Sequence, residues 1–159
     1  MITFVKNQLT MLDSFKKIAI GSDHAGYKLK EYLKEYLQSQ QYAITDFGTY
    51  SEESMDYPDA IHPLAAAVDR NEFEKGVIIC GSGNGVAMVA NKYKLVRAAV
   101  CWNDEIVKLA RRHNDANIIA LPARFISPEQ GLKFLQIFLN TDFEGGRHLR
   151  RVEKISQIL

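Results

Sequence analysis

Only two cysteines and four prolines occur among 159 residues. Two thiols, Cys80 and Cys101, are too few for the disulfide framework of a small secreted domain and fit a reducing, cytoplasmic setting. No apolar run approaches the roughly 20 residues of a bilayer-crossing helix, so no membrane partner is expected. Twenty Lys and Arg against nineteen Asp and Glu leave a net charge of +1. That excludes the strongly basic balance of a nucleic-acid binder. No His or Cys pair has the H-x-x-x-H or C-x-x-C spacing of a metal site, so neither metal nor cofactor is expected. Residues 1–15 have no long apolar core and no small-residue cleavage site. They read as a loose N-terminal extension, with Met11 an alternative start, ahead of one domain over residues 16–159.

What is present is a regular alternation. Lys17–Gly21, Tyr42–Phe47, Val77–Cys80, Arg97–Cys101 and Asn117–Leu121 are short strand-like runs. Between them lie helical patterns, such as Leu29, Tyr32, Leu33, Tyr36 and Leu37 at 3.6-residue spacing. Ser127 and Pro128 stand at the N-cap and first position of a helix reaching about Leu139. A last helix is expected over roughly Gly146–Ile158. Strand–helix alternation with apolar strands implies a single α/β/α sandwich around a five-stranded parallel sheet, with a C-terminal helix. Ligands bind such sheets outside the carboxyl ends of the strands. This directs attention to Asp23 and His24, Cys80–Gly85, Trp102 and Asn103, and the segment around Arg124.

The strongest local signal is Cys80-Gly81-Ser82-Gly83-Asn84-Gly85. Glycines at alternate positions let backbone N–H groups approach an anion, either a phosphate or a developing enediolate oxygen. The plainer reading is a tight strand-to-helix turn beside a buried cysteine. The spacing G-x-G-x-G fails the dinucleotide fingerprint G-x-G-x-x-G, although Asp104 lies where an NAD-site acid would. Gly21–Gly26 lacks the Lys-Ser/Thr of a P-loop, since Tyr27-Lys28 follow. Cys80 stands where a thiolate could serve as general base, whereas Cys101 reads as an inert core thiol. His62 reads as a surface residue. The Asp23-His24 and His113-Asn114 pairs are candidate polar ligands, with a C-cap as the alternative for Asn114. Seven of the eight arginines lie at position 97 or beyond, while residues 44–74 carry eight acids and one base. Arg147 and Arg151 stand at i, i+4 on one expected helix face, suited to a phosphate or simply to solvent.

These segments together resemble the ribose-5-phosphate isomerase B family, which includes galactose- and allose-6-phosphate isomerases. The matching pieces are Ile18–Gly26, Asp46–Thr49, Asp56-Tyr57-Pro58, Ile79–Gly85, Ala90-Asn91-Lys92, Arg111–Asn117, Ala123-Arg124, Glu144–His148 and Arg150-Arg151-Val152, in family order along nearly the whole chain. The resemblance implies a metal-independent aldose–ketose isomerase of Rossmann-like fold. It further implies a homodimer or dimer of dimers, with active sites built from both subunits and a sugar phosphate as ligand. By position, Cys80 would shuttle a proton between C1 and C2, with Ser82 assisting at the sugar oxygens. The amides of Gly81, Ser82, Gly83, Asn84 and Gly85, with Asn114, would stabilise the enediolate. His113, aided by Asp23, would open the furanose ring, and Tyr57 would line the pocket. His24, Arg124, Arg147 and Arg151 would hold the phosphate. Some members replace the loop cysteine by Gly and place a Glu after the last loop glycine; here that place is Val86, so no carboxylate substitutes for Cys80. D-Ribose 5-phosphate is the expected aldose. A six-carbon sugar phosphate, a catalytically silent sugar-phosphate-binding module and a nicotinamide-dependent oxidoreductase are the competing readings.

Overall fold

A computed structural model describes residues 16–157, so the N-terminal extension expected over 1–15 lies outside the described residues. The elements are β1 (Lys17–Ser22), α1 (Tyr27–Ser39), β2 (Ala43–Asp46), α2 (Tyr57–Asp69), β3 (Lys75–Cys80), α3 (Asn84–Ala90), β4 (Ala98–Val100), α4 (Asp104–Asn114), β5 (Ile118–Pro122) and α5 (Pro128–Asn140). A 3-10 turn, Gly146–His148, then leads into α6 (Leu149–Ile155). All strand pairings are parallel, in the order β2-β1-β3-β5-β4. Alternating residues feed two cores, because successive strand side chains point to opposite faces. Ile18, Ile20, Val77, Ile79, Ile119 and Leu121 pack with Leu33, Phe134 and Phe138 on one face. Ala19, Ile78, Cys80, Ile118 and Ala120 pack with Ile61, Leu64 and Val86 on the other. This is the expected α/β/α sandwich of Rossmann-like type.

Strand order follows hydrophobicity. β1, β3 and β5 are almost wholly buried and occupy the centre, whereas β2 alternates exposed and half-buried residues and β4 has only half-buried ones. Ser127 caps α5 in a full capping box with Gln130. Asn103, expected near the ligand as a strand-end residue, instead caps α4, its side chain accepting from Ile106 N–H at 2.9 Å. The C-cap of α4 is Asp115 in the left-handed region, one residue beyond Asn114. Arg147 precedes α6 in the 3-10 turn, so it does not share a regular helix face with Arg151 as the i, i+4 spacing suggested.

The one large departure from a simple hydrophobic face is Lys30. It sits on the buried stripe of α1 beside Leu29, Leu33 and Leu37, with its side chain fully buried. Its ammonium donates to both Asp46 oxygens at 2.7 Å and to Thr49 O at 2.6 Å. Asp46 also accepts from Lys34 Nζ and Gly48 N–H. Burial by itself would raise the Asp46 carboxyl, but the donors from Lys30, Lys34 and Gly48 outweigh it and hold the group below its ordinary value of 3.8. The pair pins the loop after β2 against the end of β1, where Ser22 N–H donates to Gly48 O and Thr49 N–H to Ser22 O.

Candidate active site

Cys80 ends β3 and is 5 % exposed. Its Sγ accepts from Gly83 N–H at 3.1 Å, and Asn84 N–H points at Ser82 Oγ at 3.3 Å. The loop folds back on its own cysteine because Gly83 takes φ +76°, a region that side chains disfavour. Gly85 is required for a second reason. A Cβ there would lie 2.7 Å from Tyr57 Cζ, so the tyrosine ring rests directly on the loop backbone. Arg124 follows β5; its N–H donates to Gly81 O, and its guanidinium stem passes over Gly81. After β1, Asp23 N–H donates to Ile79 O, and the Asp23 carboxylate accepts from Gly26 N–H at 3.0 Å. His24 Nδ1 accepts from Met55 N–H at 3.3 Å, which fixes the ring and ties it to the loop entering Tyr57. The carboxyl ends of β1, β3 and β5 thus gather Asp23, His24, Tyr57, the Cys80–Gly85 loop and Arg124 into one cluster.

His113, Asn114, Arg147 and Arg151 do not join it. Helix α4 runs antiparallel to the strands and ends just before β5 begins. Its last residues therefore lie at the amino edge of the sheet. Cys80 pairs in register with Pro122, and Gly76 with Ile118, so about 13 Å of strand separates the two levels. His113 and Asn114 line a different cleft of about 590 Å³, together with His148, Arg151 and Val152. A neighbouring cleft of about 700 Å³ shares Ala99, Asn114 and Ile155 with it and runs beside Ala98 and Ala99 of β4. Ile155, which lines both clefts, is about half exposed, as are Trp102 beyond the carboxyl end of β4 and Leu149 at the start of α6.

Sequence reasoning passed over Glu144 and His148. His148 is 6 % exposed, and its ring stacks on that of His113, 4.1 Å between centroids and 10° between planes. Glu144 Oε2 lies 3.8 Å from His113 Nε2 and 3.1 Å from Arg112 Nη2. A single histidine in a basic tail carries no periodic signal; only the fold sets it against His113. Among the described residues, His113, Glu144 and His148 are the group with three metal-ligand atoms within 4.8 Å of one another. Parallel stacked imidazoles direct their in-plane lone pairs side by side rather than toward one point, so coordination there would require a ring to turn. The remaining candidates stand as read: His62 is exposed and bonded to Tyr93 OH. Cys101 is fully buried, its thiol pushed up to about 12 by burial, which leaves it unreactive.

The ribose/galactose isomerase family model matches residues 18–155. The ribose-5-phosphate isomerase B of Escherichia coli is 39% identical over 143 residues, covering 90% of this chain and 96% of its own length. Among solved structures, a ribose 5-phosphate isomerase from Thermotoga maritima superposes with TM-score 0.87 at 45% identity, over 90% of this chain and 99% of that one. The ribose-5-phosphate isomerase B of Mycoplasma genitalium, solved with bound ribulose-5-phosphate, gives TM-score 0.85 at 41% identity, over 90% and 95% of the two chains. A model match along nearly the whole domain, with relatives covered over more than nine tenths of their own length and the loop cysteine set at the strand ends, makes this chain a member of the ribose/galactose isomerase family.

Proposed function

We propose that the chain interconverts D-ribose 5-phosphate and D-ribulose 5-phosphate, with Cys80 as the base. The observation that carries this reading is a thiol at the strand end, set in a glycine-rich loop whose Gly83 N–H points at it and flanked by Tyr57, Arg124, Asp23 and His24. In the open-chain aldose, the Cys80 thiolate removes the C2 proton. The electron pair of that C–H bond forms the C1–C2 double bond, and O1 becomes an oxyanion. Amides of Gly81–Gly85 and the Asn114 side chain offset that charge. Ser82 relays the O2 proton to O1, and Cys80 returns its proton to C1, leaving the ketone at C2. His113, with Asp23, opens the furanose ring beforehand. His24, Arg124, Arg147 and Arg151 hold the phosphate, whose binding orients the distant carbon.

Within one chain, His113 and Cys80 lie at opposite edges of the sheet, so a complete site needs a second copy that brings its α4 end to the first copy's strand ends. The free edge of β4, with Ile155 exposed in the clefts beside it, supports a two-fold homodimer. Two unpaired cysteines support a cytoplasmic setting. Cys80→Ala tests the assignment. It lowers kcat by about 10³-fold and abolishes solvent exchange at C2, while substrate still binds; undiminished turnover refutes the base. Parallel kcat/KM values on five- and six-carbon aldose phosphates decide the substrate, with the five-carbon sugar expected to be preferred.

A further inference from the structure

The His113 ring is held by groups that play no part in the mechanism above. Its helix is followed, beyond β5 and α5, by a strap that returns to the same helix end. Arg111 Nε donates to Thr141 O, and Glu144 N–H to Arg112 O at 3.0 Å. The Glu144 side chain then pairs with Arg112 and places Oε2 at 3.8 Å from His113 Nε2. Gly145 and Gly146 follow with φ +67° and +56°. A Cβ on either would meet nothing within 4 Å, so glycine is needed there for the backbone turn itself and not for space. That double turn delivers His148 onto a face of the His113 ring, 4.1 Å between centroids. His148 Nε2 has no hydrogen-bond partner, so no Nε2 contact competes with the stack in setting that ring's orientation. Burial, then His113 and Arg147, push the His148 imidazole below its ordinary 6.5, against a smaller opposing pull from Glu144. That direction favours the uncharged imidazole, the form that stacks on His113 without like-charge repulsion.

We propose that Glu144 and His148 form a positioning clamp on His113, the carboxylate bracketing the ring edge and the second imidazole fixing its plane. The proposal rests on the ring-opening role given to His113 above. A ring-opening residue must meet a furanose oxygen at a defined angle, and an exposed imidazole at a helix terminus has two free torsions. The clamp removes that freedom before substrate arrives. The carboxylate acts beside other charges: Arg112 on the same helix, and Arg147 and Arg151 from the strap and α6.

Because D-ribulose 5-phosphate has its C5 oxygen phosphorylated, it cannot close to a furanose. Solvent deuterium exchange at its C1 therefore needs the Cys80 loop but no ring opening. Glu144→Gln and His148→Ala are expected to lower kcat on D-ribose 5-phosphate about tenfold or more. KM and the C1 exchange rate stay within about twofold of the parent enzyme. His148→Phe, which keeps a flat ring in the stack, restores kcat to within about threefold. Exchange falling in step with turnover, a raised KM, unchanged turnover, or His148→Phe as impaired as His148→Ala each overturns the clamp. His113→Ala serves as reference. If it loses turnover selectively while Glu144→Gln does not, the clamp alone fails. If it turns over normally, the ring-opening role and the clamp fall together.

Discussion

The strand-end cluster and the α4-end patch do their work with different materials. Around Cys80, most polar groups are backbone amides fixed by glycine geometry and by the carboxyl ends of three central strands. Around His113, they are side chains on a helix terminus and a returning strap, half exposed and facing a cleft. The first region is rigid because it is an extension of the buried sheet. The second lies beside the half-buried edge strand β4 and relies on pairs such as Arg112–Glu144 and the His113–His148 stack. The proposed base thus sits at the ends of the buried central strands together with His24 and Arg124, whereas His113, Asn114, Arg147 and Arg151 sit where a neighbouring copy can present them.

The sharpest way to break this division is subunit mixing. Cys80→Ala and His113→Ala are each expected to be strongly impaired alone. If the two regions meet only across an interface, random reassociation leaves half the dimers mixed, each with one intact site, and restores about one quarter of parental activity. No recovery after verified exchange would place both halves in the same chain. Gly85→Ala comes next in size. Its methyl would enter the space of the Tyr57 ring 2.7 Å away. The displaced ring lowers kcat/KM by about 10²-fold with little change in Tm; a fall below tenfold would mean that Tyr57 does not shape the site.

Lys30→Met probes the scaffold under the first region. It leaves Asp46 with Lys34 as its remaining cation and is expected to lose on the order of 3 kcal/mol in urea unfolding. Asp46 also sets an acid limb. A carboxyl held below its ordinary 3.8 in the folded state contributes stability that is complete above that value and is lost as pH falls through the lower folded value. Asp46→Asn flattens that limb; an unaltered acid profile would remove Asp46 from the account. The smallest effect belongs to Cys101→Ala, which deletes a buried sulfur outside both regions. It costs about 1 kcal/mol of stability and leaves kcat unchanged, in contrast to Cys80→Ala.

Most of the segmentation was legible because strands and helices write different periods into a chain, and Leu29, Leu33 and Leu37 or Val77-Ile78-Ile79 are unambiguous. Ser127-Pro128 was legible because capping is local. The Cys80–Gly85 loop was legible because alternate glycines are rare without a backbone reason. Lys30 was not: a lysine among helix positions looks solvent-facing unless its partner, Asp46 on another element, is known. Asn103 was misjudged because a strand-end position and an N-cap coincide in an αβ unit. Glu144 and His148 were missed because their meaning is entirely their distance to His113.

By itself, then, the amino-acid sequence determined the element types, the parallel α/β/α class and the chemistry offered at each strand end, since these depend on local period, turn geometry and residue type. Tertiary structure alone decided that β5 rather than β4 is central, that a lysine lies in the core, and that Cys80 and His113 face opposite edges. Those outcomes turn on which surfaces are buried against which, a sum over contacts distant in sequence that no local pattern records.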